Sequence, residues 1–109
     1  MHPETERTVK MFLARVKDRY RLREAYLFGS RSKGLSGPQS DADIAVLLHG
    51  QSGPRADTAV DMAGIAFDVM LETGVLVDAI PFWEEEWEHP ERFRNPALIE
   101  NIRRDGVRL

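Results

Sequence analysis

Apolar side chains recur every three or four residues in two long segments of this chain, the spacing that places them on one face of an α-helix. The first predicted helix runs from Glu4 to about Tyr20, with acidic residues near the helix N-terminus, where its partial positive charge favours them. Its apolar face consists of Val9, Phe12, Leu13, Val16 and Tyr20. The second predicted helix follows the Gly- and Pro-rich segment 50–54 and ends at about Leu71. Its predicted inner face consists of Val60, Ala63, Phe67 and Met70.

Three shorter apolar segments, rich in β-branched or aromatic residues, predict strands. They comprise residues 25–28, 41–48 and 75–80. Pro81 directly follows the third segment. Because proline has no N–H to donate to a sheet, we expect the third strand to end before it.

The last part of the chain predicts two more helices. A short acidic helix is expected near residues 83–88, where Trp83 and Trp87 are four residues apart and would share one helix face. The final helix has clear boundaries, with Asn95 as its N-cap, Pro96 in its first turn and Gly106 beyond its end. The alternation of elements predicts a single domain over residues 1–109 with an α/β (α+β) fold, a small mixed sheet of three to four strands flanked by helices.

The end of the first predicted strand has the composition of a phosphate-binding turn. Gly29 has no Cβ, so the backbone can turn sharply there and approach a ligand closely. Ser30 follows it, and residues 31–34 are long enough for one helical turn. Backbone N–H groups at such a turn, together with the Ser30 hydroxyl, can hold an anion such as a phosphate.

Two aspartates lie at the entry to the second predicted strand. Because side chains alternate between the faces of a strand, Asp41 and Asp43 point the same way, with Cα atoms about 6.6–7 Å apart. Two carboxylates on one face repel each other unless a cation lies between them, and Mg²⁺ binds through one or two carboxylates plus substrate phosphates. Either motif alone is usually an ordinary turn or loop. Together they predict a metal-dependent nucleotide site.

Composition limits the class of protein. A hydrophobic fraction of 42% and a charged fraction of 30% are ordinary for a soluble globular domain. The chain has no cysteine and no signal-peptide pattern, so we expect neither disulfides nor thiolate metal sites and favour a cytoplasmic location. No apolar run approaches the roughly 18 residues that cross a bilayer. A net charge of −3 argues against direct binding to nucleic acid through many phosphate contacts.

On these motifs the sequence resembles the nucleotidyltransferases of the DNA polymerase β superfamily. The closest resemblance is to the small single-domain type, the minimal nucleotidyltransferases (MNT), which often serve as antitoxins in HEPN/MNT toxin–antitoxin pairs. The matching segments are residues 29–34 (Gly-Ser-Arg-Ser-Lys-Gly) and 40–47 (Ser-Asp-Ala-Asp-Ile-Ala-Val-Leu). The family pattern often has Arg-Ala-Arg-Gly after the Gly-Ser pair, and this chain keeps both cations and the closing glycine. The resemblance extends less specifically over most of the chain.

The resemblance implies a third carboxylate on a later strand. Asp78 is the best candidate, because a charged residue inside an otherwise apolar strand is costly unless it is paired or bound to metal. A salt bridge at the strand end is the other interpretation of Asp78. Asp68 competes for the role, but its segment has helical spacing, which favours a surface or helix-pairing position. The residues implied for the site are Asp41, Asp43 and Asp78 as catalytic ligands of two Mg²⁺ ions, and Gly29, Ser30, Arg31 and Lys33 for nucleotide binding.

The resemblance also implies a reaction and a partner. AMP would pass from ATP to a hydroxyl, most simply a tyrosine, of a HEPN-domain ribonuclease toxin, and this AMPylation would silence the toxin. Larger relatives that modify antibiotics or extend RNA have a second domain that holds the acceptor. We expect 109 residues to leave no room for such a domain, so the partner protein would complete the substrate site in a hetero-oligomer.

Two other functions fit the same sequence. A non-catalytic antitoxin would neutralise its toxin by binding alone, although such a binder has no need of three converging acidic groups. A small-molecule nucleotidyltransferase, acting on an antibiotic-type hydroxyl, would need an acceptor domain that this chain does not show.

Overall fold

The computed structural model describes residues 2–29, 31 and 41–109. Within them, helices and strands alternate as the sequence predicts. In chain order the elements are α1 (Pro3–Lys17), β1 (Leu22–Phe28), β2 (Ala42–Leu48), α2 (Arg55–Thr73), β3 (Val77–Trp83), α3 (Glu84–Glu88), a 3₁₀ turn (Pro90–Arg92), α4 (Pro96–Asp105) and β4 (Val107–Arg108).

The strands form one mixed sheet in the order β3-β2-β1-β4. β1 runs antiparallel to both β2 and β4, whereas β2 and β3 are parallel. Parallel neighbours need a crossover connection, and α2 supplies it. The structure therefore confirms the predicted α+β class and the small mixed sheet flanked by helices.

Each face of the sheet has its own apolar core, because side chains alternate along the strands. One face packs against α1 and α2, through residues that include Leu27, Ile44 and Val46. The other face packs against α3 and α4, through Leu47, Phe82 and Trp87 among others. The helices on the first face cover the sheet from the side opposite to α3 and α4.

The prediction of which residues form the buried face of α2 is wrong. Val60 is 72% exposed and Phe67 is 53% exposed, Ala63 is exposed and Met70 is only half-buried. The side chains that α2 buries are Thr58, Met62, Ile65, Ala66 and Val69. Both sets have helical spacing, so periodicity alone could not distinguish the side that meets the sheet.

Two further predictions are wrong, one about the end of β3 and one about the two tryptophans. The strand does not end before Pro81 but continues through it to Trp83. β3 lies at the edge of the sheet, where a residue whose nitrogen faces outward loses no ladder hydrogen bond, so proline is tolerated. Trp83 packs in the core beneath α1 and α2 and Trp87 in the core on the opposite face, so the two rings do not share a helix face.

The observed ends of α4 agree with the sequence prediction, whereas the observed end of α1 differs from it. The Asn95 side chain accepts a hydrogen bond from the N–H of Leu98, and Gly106 follows the last turn of α4. α1 ends at Lys17 instead of Tyr20. Within the described ranges, no helix has the length and apolar content needed to cross a membrane.

The corrected orientation of α2 leads to a stability prediction. Met62→Ala removes a fully buried side chain, so we expect the free energy of unfolding to fall by about 2–5 kcal/mol. Val60→Ala removes an exposed side chain of the same helix and should change it by less than about 0.5 kcal/mol. Urea unfolding followed by circular dichroism measures both. Similar losses in the two variants would contradict this orientation.

Candidate functional site

Strand register brings the predicted carboxylates to one end of the sheet, where β1 ends and β2 and β3 begin. Phe28 at the end of β1 is the register partner of Asp43 near the start of β2, and Asp43 is the register partner of Asp78 near the start of β3. Neighbouring strands are about 4.8 Å apart, so register partners have adjacent side chains on the same face. Asp41 precedes β2 and, two residues from Asp43, points to that face as well.

The face that presents these carboxylates is divided into an acidic end and an apolar end. Continuing along it, Asp43 is followed by Ala45 and Leu47, which belong to the core beneath α3 and α4. Asp41 and Asp78 are exposed and Asp43 is half-buried. The described helices thus cover the apolar end and leave Asp41 and Asp78 exposed at the acidic end.

The carboxylates interact electrostatically. Partial burial raises the pKa of Asp43, and the neighbouring charges of Asp78 and then Asp41 raise the pKa further. Like charges disfavour ionisation of a nearby carboxyl group. The register of β2 with β3 brings these aspartates together, although the sequence separates Asp41 from Asp78 by 37 positions.

These residues suit a hard divalent cation by their chemistry. Across the described part of the chain, no group of three or more histidine or acidic side chains is already arranged to hold a metal ion. Carboxylate oxygens are nevertheless the ligands that Mg²⁺ prefers, and a cation would relieve the repulsion that raises the pKa of Asp43. Asp41 and Asp78 are exposed, and with Asp43 they are the residues that would hold such an ion.

Gly29 is required at its position by two independent constraints. Its φ angle is 74°, in the left-handed region that side chains with a Cβ rarely adopt. A Cβ at this position would also lie 2.3 Å from Oδ2 of Asp43, far inside van der Waals contact. Gly29 therefore does more than allow a ligand to approach, because it leaves space for the central carboxylate of the site.

Arg31 connects the turn after Gly29 to the first helix. Its side chain is 4% exposed, and its Nη1 donates a hydrogen bond of 2.8 Å to Oγ1 of Thr5. Sequence reasoning missed Thr5, although its spacing from Val9 and Phe12 would have placed it on the buried side of α1. The assignment of Arg31 to phosphate binding stays a prediction. Ser30 and Lys33, the other predicted members of the turn, lie outside the described residues.

Asp68 is not brought to this site. It is exposed on α2, and α2 covers the face of the sheet opposite to Asp43 and Asp78. The surface position that its helical spacing favours is the position observed.

Comparison with known families agrees with this geometry. The sequence model of the family described as "Nucleotidyltransferase domain" matches residues 9–108. The match includes the three aspartates and Gly29. A search of curated proteins finds no match.

A solved structure has the same fold. It is the crystal structure of a "putative nucleotidyltransferase" from Sulfolobus solfataricus, with a TM-score of 0.50 and 22% sequence identity. The alignment covers 99% of this chain and 87% of the Sulfolobus chain. At this identity the likeness concerns the fold.

The contact between Gly29 and Asp43 can be tested with a matched glycine. Gly74 has nearly the same backbone angle, with φ of 77° against 74°, but a Cβ there would meet nothing within 4 Å. Each alanine variant should lose about 1–2 kcal/mol of stability through its left-handed backbone. Gly29→Ala should in addition displace Asp43 and weaken Mg²⁺ binding about 10- to 100-fold, as changes next to metal ligands do. Titration calorimetry measures the affinity, and equal Mg²⁺ affinities in the two variants would contradict the contact.

The raised pKa of Asp43 predicts a pH dependence of stability. Because the pKa in the folded state lies above that of the unfolded chain, the stabilising contribution is complete below the unfolded pKa and is lost as pH rises through the folded pKa. In Asp43→Asn the side chain cannot ionise, so this loss of stability with rising pH does not occur. In EDTA at neutral pH the variant should be more stable than the native protein, by less than about 1 kcal/mol because solvent screens the half-exposed group.

Thermal unfolding over a pH series measures this difference, which should disappear well below the ordinary aspartate pKa of about 3.9. Asp68→Asn, on the far side of the sheet, is the matched control and should show no such trend. A native protein more stable than the Asp43→Asn variant at neutral pH in EDTA would contradict the electrostatic interpretation.

Proposed function

The chain belongs to the nucleotidyltransferase domain family, and from that premise we propose that it is a Mg²⁺-dependent protein adenylyltransferase. It transfers AMP from ATP to a tyrosine hydroxyl of a HEPN-domain ribonuclease toxin and so acts as its antitoxin. The observation that supports nucleotidyl transfer is the alignment of Asp43 with Asp78 beside Gly29 at one open edge of the sheet. The proposal places the protein in the cytoplasm, where ATP and the toxin's RNA substrates occur.

The donor half of the reaction belongs to the edge where β1 ends. The turn that begins at Gly29 binds the triphosphate through backbone N–H groups and the Ser30 hydroxyl. Asp41, Asp43 and Asp78 hold the Mg²⁺ ions. When bound, these ions neutralise charge on the phosphates and lower the pKa of a coordinated hydroxyl group.

The acceptor half of the reaction is a displacement at phosphorus. The acceptor oxygen forms a bond to the α-phosphorus of ATP while the bond between that phosphorus and the bridging oxygen of pyrophosphate breaks. The proton of the acceptor hydroxyl passes to Asp78, whose side chain is exposed and can accept it. Positioning of both reactants and compensation of developing charge supply most of the rate enhancement.

Exposure of the acidic end favours a protein over a small molecule as acceptor. Small-molecule sites usually bury most of the ligand surface in a cleft. Two cavities of about 650 and 660 Å³ lie along α1, and neither is lined by any of the three aspartates. Asp41 and Asp78 instead lie on an open surface that a folded partner can reach.

The proposal is tested with the product of the adjacent reading frame as the acceptor. The purified protein, ATP, Mg²⁺ and this acceptor are incubated together, and the intact mass of the acceptor is measured. We expect a gain of one or more AMP groups. Asp43→Asn should lower the rate at least about a hundredfold, a magnitude typical of removing a group that stabilises the transition state. Asp18→Asn, the matched change at an exposed aspartate outside the site, should keep the native rate.

The same assay separates catalysis from simple sequestration. Toxin neutralisation is measured in parallel with the mass of the acceptor, using the double variant Asp41→Asn with Asp43→Asn. Neutralisation that survives this change, with no mass gain even for the native protein, would overturn the enzyme and support a non-catalytic antitoxin.

A further inference from the structure

The outward side of α2 has a continuous apolar stripe that the domain's own core does not use. Val60, Phe67 and Leu71 are 72%, 53% and 69% exposed, and Ala56 and Ala63 between them are exposed as well. We call these five residues the outer stripe. Single exposed apolar side chains are ordinary on protein surfaces, whereas contiguous exposed apolar patches mark interaction sites.

The spacing of the outer stripe suits another helix. Its members are separated by four, three, four and four residues, close to the alternation that forms the seam between two packed helices. The opposite side of α2 already packs on the sheet through Met62, Ile65 and Val69. Folding of the described domain therefore accounts for the inner side of α2 and leaves the stripe without a covering element among the described residues.

The charged residues along one side of the outer stripe indicate what kind of helix would bind there. Four of the five stripe residues are followed directly by an acidic residue, and these are Asp57, Asp61, Asp68 and Glu72. Two of them are already paired, Asp61 with Arg19 and Glu72 with Arg15. Asp57 and Asp68 have neither a hydrogen bond nor an ion pair within the described part of the chain. A helix with lysine or arginine along one flank would pair with both.

The same charges disfavour a second copy of this chain as the occupant. In an antiparallel two-fold pair of α2 helices, the acidic edges of both copies lie on the same side of the interface. Asp68 of one copy would then lie beside Asp57 of the other, and like charges at such distances repel. Complementary charge therefore selects a basic partner over self-association.

The outer stripe also leads to the acidic edge of the sheet. Beyond Leu71 the chain passes through Gly74 to Leu76, which is 38% exposed. The carbonyl of Leu76 accepts a hydrogen bond of 2.8 Å from the N–H of Ala42, the residue between Asp41 and Asp43. A helix seated on the stripe would therefore end near the same end of the sheet as the aspartates, although it lies over the opposite face.

We propose that the outer stripe is the docking surface for an amphipathic helix of the acceptor protein, with an apolar seam that packs on Val60, Phe67 and Leu71 and a basic flank that pairs with Asp57 and Asp68. Identifying this partner with the acceptor rests on the proposed nucleotidyl transfer. The docking surface itself does not.

Docking is tested with two synthetic helical peptides that share a leucine seam and differ only in one flank, lysine in one and glutamate in the other. Fluorescence anisotropy should show at least about tenfold tighter binding of the lysine peptide, which corresponds to about 1.4 kcal/mol. Phe67→Asp should weaken binding of the lysine peptide at least about tenfold. Asp68→Asn should weaken binding of the same peptide and make that binding less dependent on salt concentration. Leu109→Asp, a matched change at another partly exposed apolar residue, should leave it unchanged.

Three results would overturn the docking surface. They are absence of binding to the lysine peptide, equal binding of the glutamate peptide, or unchanged binding after Phe67→Asp in a variant that circular dichroism shows to be folded. A concentration-dependent dimer in sedimentation that Phe67→Asp dissolves would assign the stripe to a second copy and overturn the basic partner.

A separate measurement tests whether the docked protein is the acceptor. In the AMP-transfer assay Phe67→Asp should raise the KM for the acceptor protein at least about tenfold with kcat unchanged, because uniform binding is lost while the reacting groups stay in place. An unchanged KM would overturn the link to the acceptor. Absence of transfer by the native protein would overturn the proposed function alone, since the peptide assay requires neither ATP nor an acceptor hydroxyl.

Discussion

The candidate site depends on the close approach of the Gly29 backbone to the Asp43 carboxylate. A side chain at position 29 would occupy the space of Oδ2, so the carboxylate keeps its position beside the end of β1 only with glycine there. The antiparallel register of β1 with β2, and the parallel register of β2 with β3, then place the end of β1 and Asp78 on either side of Asp43. One steric constraint thus aligns both parts of the site.

The cluster of carboxylates at one end of the sheet lowers the stability of the fold, and the packing of the remainder of the sheet offsets this loss. Three carboxylates share one end of a face, and partial burial, with the repulsion of Asp78 and Asp41, raises the pKa of Asp43. Further along that face, Leu47 and Phe82 are completely buried beneath α3 and α4. A divided face of this kind keeps an unfavourable cluster of like charges next to a well-packed core, an arrangement often found where function opposes stability.

The two sides of the crossover helix α2 differ in their surroundings. Its inner side holds the sheet together by packing against β3, and its outer side presents an apolar stripe with an acidic edge. Because a short connection joins α2 to β3, a protein bound to the stripe would approach the end of the sheet where β3 begins, from the face opposite to Asp78. Donor chemistry and acceptor recognition would then depend on two sides of one connection, which explains how so small a domain could act on a large substrate.

The sequence by itself determined the types of the elements and the boundaries of α4, and it predicted the residues of the candidate site. Gly-Ser, Asp-x-Asp and a charged residue in an apolar strand are local signals, and so are Asn95 and Gly106 at the ends of a helix. Tertiary structure decided which side of α2 is buried, since Val60 and Phe67 have the same periodicity as Met62 and Val69. It also decided the passage of β3 through Pro81, because only the sheet order makes β3 an edge strand. The contact of Gly29 with Asp43 and the bond from Arg31 to Thr5 join residues distant in sequence, and such pairs are chosen by packing and register instead of local propensity.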